Sequence, residues 1–319
     1  MSIINKLFSK DCTTTMKGIA ILLIIANHIG DGGFGERIFV PLGGIGVAMF
    51  LLLSGFGLTE SYKRHGLDNF WEKRLIKILI PYAIWIGIYS IYNVLIKGST
   101  FSLDDYRYWF VEYIFLWYIS FWFAFKCAPK TKWLVFCFVV TLIFVFMPNL
   151  QAQQVLSFPA GVLISLHKEK LDNSNNRSIF LTGIGCLTVG ILAFVAKQYV
   201  VIDLMGSADE AFTTVNIEDN DYLRKFIQIF TKLPTAISIL ILGTASNVSS
   251  NKLMHKIGII SYELYLVHVP FFSYIEGNVF NMVFFLIGIS LGAIVLHHLA
   301  NMANLIISNL KSATNSDAD

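Results

Sequence analysis

At 319 residues the chain is long enough for a large domain, but 55% of it is hydrophobic, 14% aromatic and only 14% charged. Soluble domains carry about 25% charged residues, so this composition excludes a water-soluble enzyme and describes a polytopic membrane protein. The formal net charge of +3 is small and gives no reason to expect nucleic acid as a partner.

Apolar stretches predict about ten transmembrane helices, near 14–31, 40–59, 75–96, 108–127, 132–148, 153–167, 178–197, 226–244, 257–275 and 280–307. The first reads as a span rather than a cleaved signal, because its apolar run leads into glycines without a small-residue cleavage site. Ten spans leave both termini on one side. With the termini cytoplasmic, seventeen of the 24 Lys and Arg residues fall inside and seven outside, as the positive-inside rule requires. The expected fold is thus an all-α integral membrane protein, with one transmembrane domain over 1–310 and a polar, disordered tail over 311–319.

Lys17 opens the first span and His28 lies eleven residues deeper. At about 1.5 Å per residue they are roughly 16 Å apart along the axis. If Lys17 marks one surface of a hydrocarbon core about 30 Å thick, His28 lies near the midplane or just beyond it. Ionisable groups in lipid cost free energy and usually mark function. Asn27 precedes the histidine and is a weak candidate for orienting an acceptor or a water. The glycine-rich loop from Gly30 to Gly35 follows a membrane span rather than a strand, so it reads as an outer turn and not as a phosphate loop.

The second span is rich in small residues from Gly43 to Gly57, which suits close helix packing. The third begins with Arg74 and Lys77, three residues apart on one helical face. They are positive-inside anchors, or they form with Lys17 a cytoplasmic basic mouth that holds phosphates. Trp117, in Phe115–Tyr118, fits core packing as well as a ligand contact. The segment from Val200 to Tyr222 holds six carboxylates and reads as a solvated acidic outer loop, or as a lid over an external site. The four cysteines are scattered with no metal-ligand spacing, so no metal is expected.

The ninth span holds Ser261, Tyr262, Glu263, Tyr265, His268 and Pro270. His268 is also about eleven residues deep, so it and His28 could face one cavity, or each could simply bridge helices. His297 and His298 are adjacent, hence about 100° apart on a helix, and both can hardly serve one site.

Together these segments resemble the acyltransferase-3 family of integral membrane acyltransferases. The resemblance rests on five pieces in the family's order: Lys17-Gly-Ile-Ala…His28; Gly46–Phe56; Lys73-Arg74-Leu-Ile-Lys77-Ile-Leu-Ile-Pro81; Leu116-Trp117-Tyr118; and Ser261-Tyr262-Glu-Leu-Tyr265-Leu-Val-His268-Val-Pro270. It implies ten spans, an acyl-CoA donor, usually acetyl-CoA, and transfer to a glycan hydroxyl. It also implies that Lys17 and His28 are catalytic and that Arg74 and Lys77, with Lys17, serve the donor. His268, Ser261, Tyr265, Trp117 and Asn27 are candidates for the acceptor side or for supporting roles. Lys17 and Lys77 stand where arginine is common, and Ala48 where many members have Asp. Lysine keeps the charge but loses the bidentate fork.

The expected activity is therefore O-acetylation of a cell-envelope polysaccharide or its lipid-linked precursor, by a multi-pass protein of the cell membrane. Acyl-CoA is a substrate, no cofactor stays bound, and glycan-assembly proteins are possible partners. Histidine suits a hydroxyl acceptor because its ordinary pKa is near neutrality; His28 acts as base or first accepts the acyl group itself. The alternative is a carrier exporting a glycan or small solute, since intramembrane histidines also serve proton relays. A carrier would not consume acyl-CoA.

Overall fold

The computed structural model describes residues 2–30, 39–98, 108–198, 218–275 and 278–316. Among them every regular element is a helix. In chain order these are α1 (Ile3–Leu7), α2 (Lys10–Ile29), α3 (Val40–His65), α4 (Phe70–Lys97), α5 (Trp109–Lys126), α6 (Lys132–Phe146), α7 (Asn149–Ala152), α8 (Ser157–Leu166), α9 (Lys168–Asp172), α10 (Asn176–Ala196), α11 (Glu218–Ala245), α12 (Lys252–Ile259), α13 (Ser261–His268) and α14 (Val279–Ser316). Short 3₁₀ segments cover Val248–Ser250 and Val269–Ile275.

Six helices among the described residues are long and apolar enough to cross a bilayer: Lys10–Ile29, Pro41–His65, Phe70–Ile96, Asn176–Ala196, Tyr222–Ala245 and Val279–Leu310. The other four expected spans are helical but not continuous apolar rods. The α5 helix has 18 residues, but Glu112, Lys126 and a dense set of Trp and Tyr temper its hydropathy. The α6 helix has 15 residues, or roughly 22 Å, short of a hydrocarbon core. The sixth expected span, 153–167, holds only the 10-residue α8, with no regular helix before Ser157. The ninth breaks into α12, α13 and a 3₁₀ segment holding Pro270, which has no N–H for a helical ladder. At the C-terminus α14 continues to Ser316, into the residues expected to form the tail. Residues 31–35 of the glycine-rich turn and 200–217 of the acidic loop lie outside the described residues.

The chain forms two compact units. The first comprises 1–31, 35–66 and 114–259; the second comprises 32–34, 67–113 and 260–319. Large apolar side chains point outward in both. Phe146 is 78% exposed, Phe280 75% and Leu95 74%. Such surfaces are a liability in water but are at ease against lipid tails.

Lipid supplies little hydrophobic drive between helices, so association depends on close backbone approach at small residues. The first unit shows this at three crossings. Gly18 of α2 meets the Met254 carbonyl and the Gly258 amide of α12. Gly46 of α3 lies against the Ala20 carbonyl of α2, and Gly161 of α8 against the Leu52 carbonyl of α3. A side chain at any of them would collide with backbone. Around these crossings Met16, Ala48, Met49 and Leu240 are wholly or almost wholly buried.

In the second unit α13 is docked by polar bonds. Tyr262 donates its hydroxyl to the Ile78 carbonyl of α4 at 3.1 Å. The Tyr108 hydroxyl donates to the Leu266 carbonyl at 3.0 Å and accepts from Trp85 Nε1 at 2.7 Å. Val267 packs where Gly292 leaves α14 bare.

Candidate active site

The expected site residues divide between the two units. Lys17, Asn27, His28 and Trp117 lie in the first; Arg74, Lys77, Ser261, Tyr265 and His268 lie in the second. His28 and His268 thus belong to different units.

The first unit is organised by α2. Ser9 caps it, accepting the Cys12 amide with its side chain, which satisfies a donor the first turn leaves open. Thr14 and Thr15 return their hydroxyls to the carbonyls of Lys10 and Asp11, so these polar side chains are satisfied within the helix. Ala20, Ile24 and Asn27 form the stripe that meets α3, since Gly46 touches Ala20 and Ile24 and Gly43 touches Asn27. Gly18, about 160° around the helix from Ala20, meets α12 instead. Eleven residues at about 100° each return to within about 20° of the start. Lys17 and His28 therefore share one face of α2, flanking the α3 stripe, and both are half-buried.

Beside the Asn27 end of α2 is a polar cluster that periodicity did not reveal. Gln154 Nε2 donates to the Gly44 carbonyl at 2.9 Å. The Lys232 ammonium donates to Gln153 Oε1, and its chain packs where Gly44 has no Cβ. Lys232 is 6% exposed, Gln153 7% and Gln154 1%. The positive-inside assignment places Lys232 among its seven outer-side cations. The signals were two adjacent glutamines at a helix break and a lysine amid the apolar run of α11.

Trp117 is fully buried. Its indole stacks on Phe158 at 5.3 Å between centroids and faces Phe136 at 6.4 Å. That is a packing position in the aromatic core of the first unit.

In the second unit, Arg74 lies over the ring of Phe70, one turn earlier, with its guanidinium carbon 5.8 Å from the centroid. Its Nε is buried, and among the described residues no hydrogen-bond acceptor meets it. Lys77 is exposed on the same face. The Tyr262 bond to Ile78 fixes α13 against α4 one residue beyond Lys77.

His268 is fully buried. Its Nδ1 lies 2.8 Å from the Tyr265 carbonyl and 3.1 Å from the Leu264 carbonyl. Carbonyls only accept, so Nδ1 carries a proton. Ser261 and Tyr265 are also buried on α13. One further polar pair joins α13 to α14: His297 Nδ1 meets Glu263 Oε1 at 2.8 Å. His298 is exposed, so the adjacent histidines do face different ways. Among the described residues no group of His, Cys, Asp and Glu is arranged to hold a metal ion.

The helices, their apolar surfaces and the ionisable groups set into them define a multi-pass membrane protein. Residues 14–297 match the acyltransferase-3 family, described as an acyltransferase domain. The chain belongs to that family and is a membrane acyltransferase. No curated protein matches it. No solved structure matches it.

Proposed function

We propose that the protein is an O-acetyltransferase of the cell membrane. It would move the acetyl group of cytoplasmic acetyl-CoA to a hydroxyl of an envelope polysaccharide or its lipid-linked precursor. The observation that supports this best is the placement of Lys17 and His28 on one face of one helix, about 16 Å apart along its axis. A cation at one level and a base at another suit a donor whose phosphates and thioester lie at opposite ends of an extended arm.

In this reading His28 takes the proton of the acceptor hydroxyl as its oxygen attacks the thioester carbonyl. The carbon–sulfur bond breaks, and the CoA sulfur leaves with the proton that His28 returns. Lys17 holds the phosphate end of the donor. In the second unit Arg74, whose buried Nε meets no acceptor among the described residues, and exposed Lys77 form a basic pair of the kind that suits phosphates. His268, Ser261 and Tyr265 support α13, which is pinned to the helix bearing Arg74 and Lys77.

The test is release of free CoA thiol by purified protein given acetyl-CoA and an envelope glycan extract, with mass spectrometry of the quenched enzyme. Thiol release with unmodified His28 fits direct transfer. An acetyl group trapped on His28 would replace the general base with a covalent relay. No thiol release would overturn the transferase reading.

A further inference from the structure

The cluster around Lys232 is not used by the chemistry above. Its ammonium is buried among helices of the first unit and has one described partner, the neutral amide of Gln153. Two more cations act on it electrostatically: Lys197, just beyond α10, and Arg224, two turns earlier on α11. The helix geometry places Lys197 on the face of α10 that meets α11. Gly190 of α10 packs against Thr231 and Thr235 of α11. Lys197 is seven residues further on, hence on nearly the same face. Lys225 also turns inward from α11, at 5% exposure, with its ammonium over the Tyr222 ring.

Among the described residues no carboxylate forms an ion pair with Lys232, Lys197 or Arg224. Gathering like charges in a poorly hydrated interior is costly, and burying a lysine with only an amide partner is costly too. A protein that needed only packing at position 232 would be better served by Met or Leu. The cost is offset when an anion occupies the site. The partners also suit an oxyanion: two ammonium groups, a guanidinium fork and the amide N–H groups of Gln153 and Gln154.

We propose that Lys232, Lys197 and Arg224, with Gln153 and Gln154, bind an oxyanion carried by the acceptor, of phosphate type. The assignment to the acceptor rests on the acyl-transfer reading and on position. The cluster adjoins Gly44, next to the Gly43–Asn27 contact, at the end of α2 that bears His28 and away from Lys17. It follows that the acceptor is anionic, as a phosphate-linked glycan precursor is.

The test uses the full chain in detergent and reads its thermal unfolding midpoint against inorganic pyrophosphate, which needs no catalysis. The wild type should be stabilised in a concentration-dependent way. Lys232→Met, which keeps the volume but removes the charge, should weaken apparent binding about ten- to a hundredfold. Lys232→Arg should retain most of it. Arg224→Gln, at a half-exposed position, should weaken binding without threatening the fold. His28→Ala should bind pyrophosphate like wild type, so failure of the catalytic reading would leave this result intact. Equal stabilisation of wild type and Lys232→Met overturns the site. No stabilisation of wild type also overturns it, meaning that the chain neutralises these cations itself. Stabilisation by CoA that is lost in Lys232→Met but kept in Lys77→Ala would assign the oxyanion to the donor and overturn the acceptor assignment.

Discussion

Gly18 of α2 and Gly258 of α12 lie backbone against backbone, one residue from Lys17. A Cβ on Gly18 would come within 3.0 Å of the Gly258 amide nitrogen, and one on Gly258 within 3.2 Å of the Gly18 nitrogen, with carbonyls closer still. The helix that presents Lys17 and His28 is thus seated by a contact that only glycine permits. Gly258→Val should cost about 1–3 kcal/mol or more, because neither backbone can yield. The check is the unfolding midpoint in detergent, with acyl-CoA turnover falling in parallel. Gly185, which has open space around its Cβ position, should tolerate the same change.

The Glu263–His297 pair makes a second prediction. The carboxylate side chain is 9% exposed and the imidazole 25%. His297→Ala leaves the carboxylate without that partner in a poorly hydrated interior and should cost about 2–4 kcal/mol. Replacing both residues by Leu should cost less than the single change, since neither polar group is then stranded. A double-mutant cycle on the unfolding midpoint measures the coupling. Additive effects would show that the pair is not coupled.

Tyr262→Phe removes the bond that fixes α13 to α4 beside Lys77. The stability loss should be small, about 1 kcal/mol. The larger effect should be a raised KM for acyl-CoA with kcat nearly kept, because the tyrosine holds the helix proposed to bind the donor rather than touching the reacting atoms.

Arg74→Ala should raise the KM for acyl-CoA by about tenfold or more, and Arg74→Lys should recover only part, since lysine lacks the planar fork. Lys77→Arg should be neutral or tighten donor binding. Equal behaviour of Arg74→Lys and wild type would show that a point charge suffices there.

Much of this was legible in the sequence because lipid imposes a simple code. Every expected span is helical, and the Lys17–His28 spacing yields the shared face from helix geometry alone. The span count was less legible because hydropathy reports apolar length, not continuity. It reads 153–167 as one span, although regular helix runs only over Ser157–Leu166 of α8, and it carries the fifth span to 148, although α6 stops at Phe146. Lys232 was hidden for the opposite reason. A single lysine beside an apolar run reads as a flanking anchor, and only the packing of α3 and α11 shows that it turns inward onto Gly44 and Gln153. Glu263 and His297 are 34 residues apart in the chain, and no local pattern joins them. His28 and His268 match in expected depth, and depth alone does not assign them to a unit: the first falls in one and the second in the other.

The central claim is that His28 performs the transfer. The most direct measurement is acetyl-CoA turnover by purified wild type beside His28→Ala, with an envelope glycan extract as acceptor and the unfolding midpoint of both proteins recorded. The variant should keep its fold and lose turnover by at least about a hundredfold. A folded His28→Ala protein that keeps full turnover would contradict it.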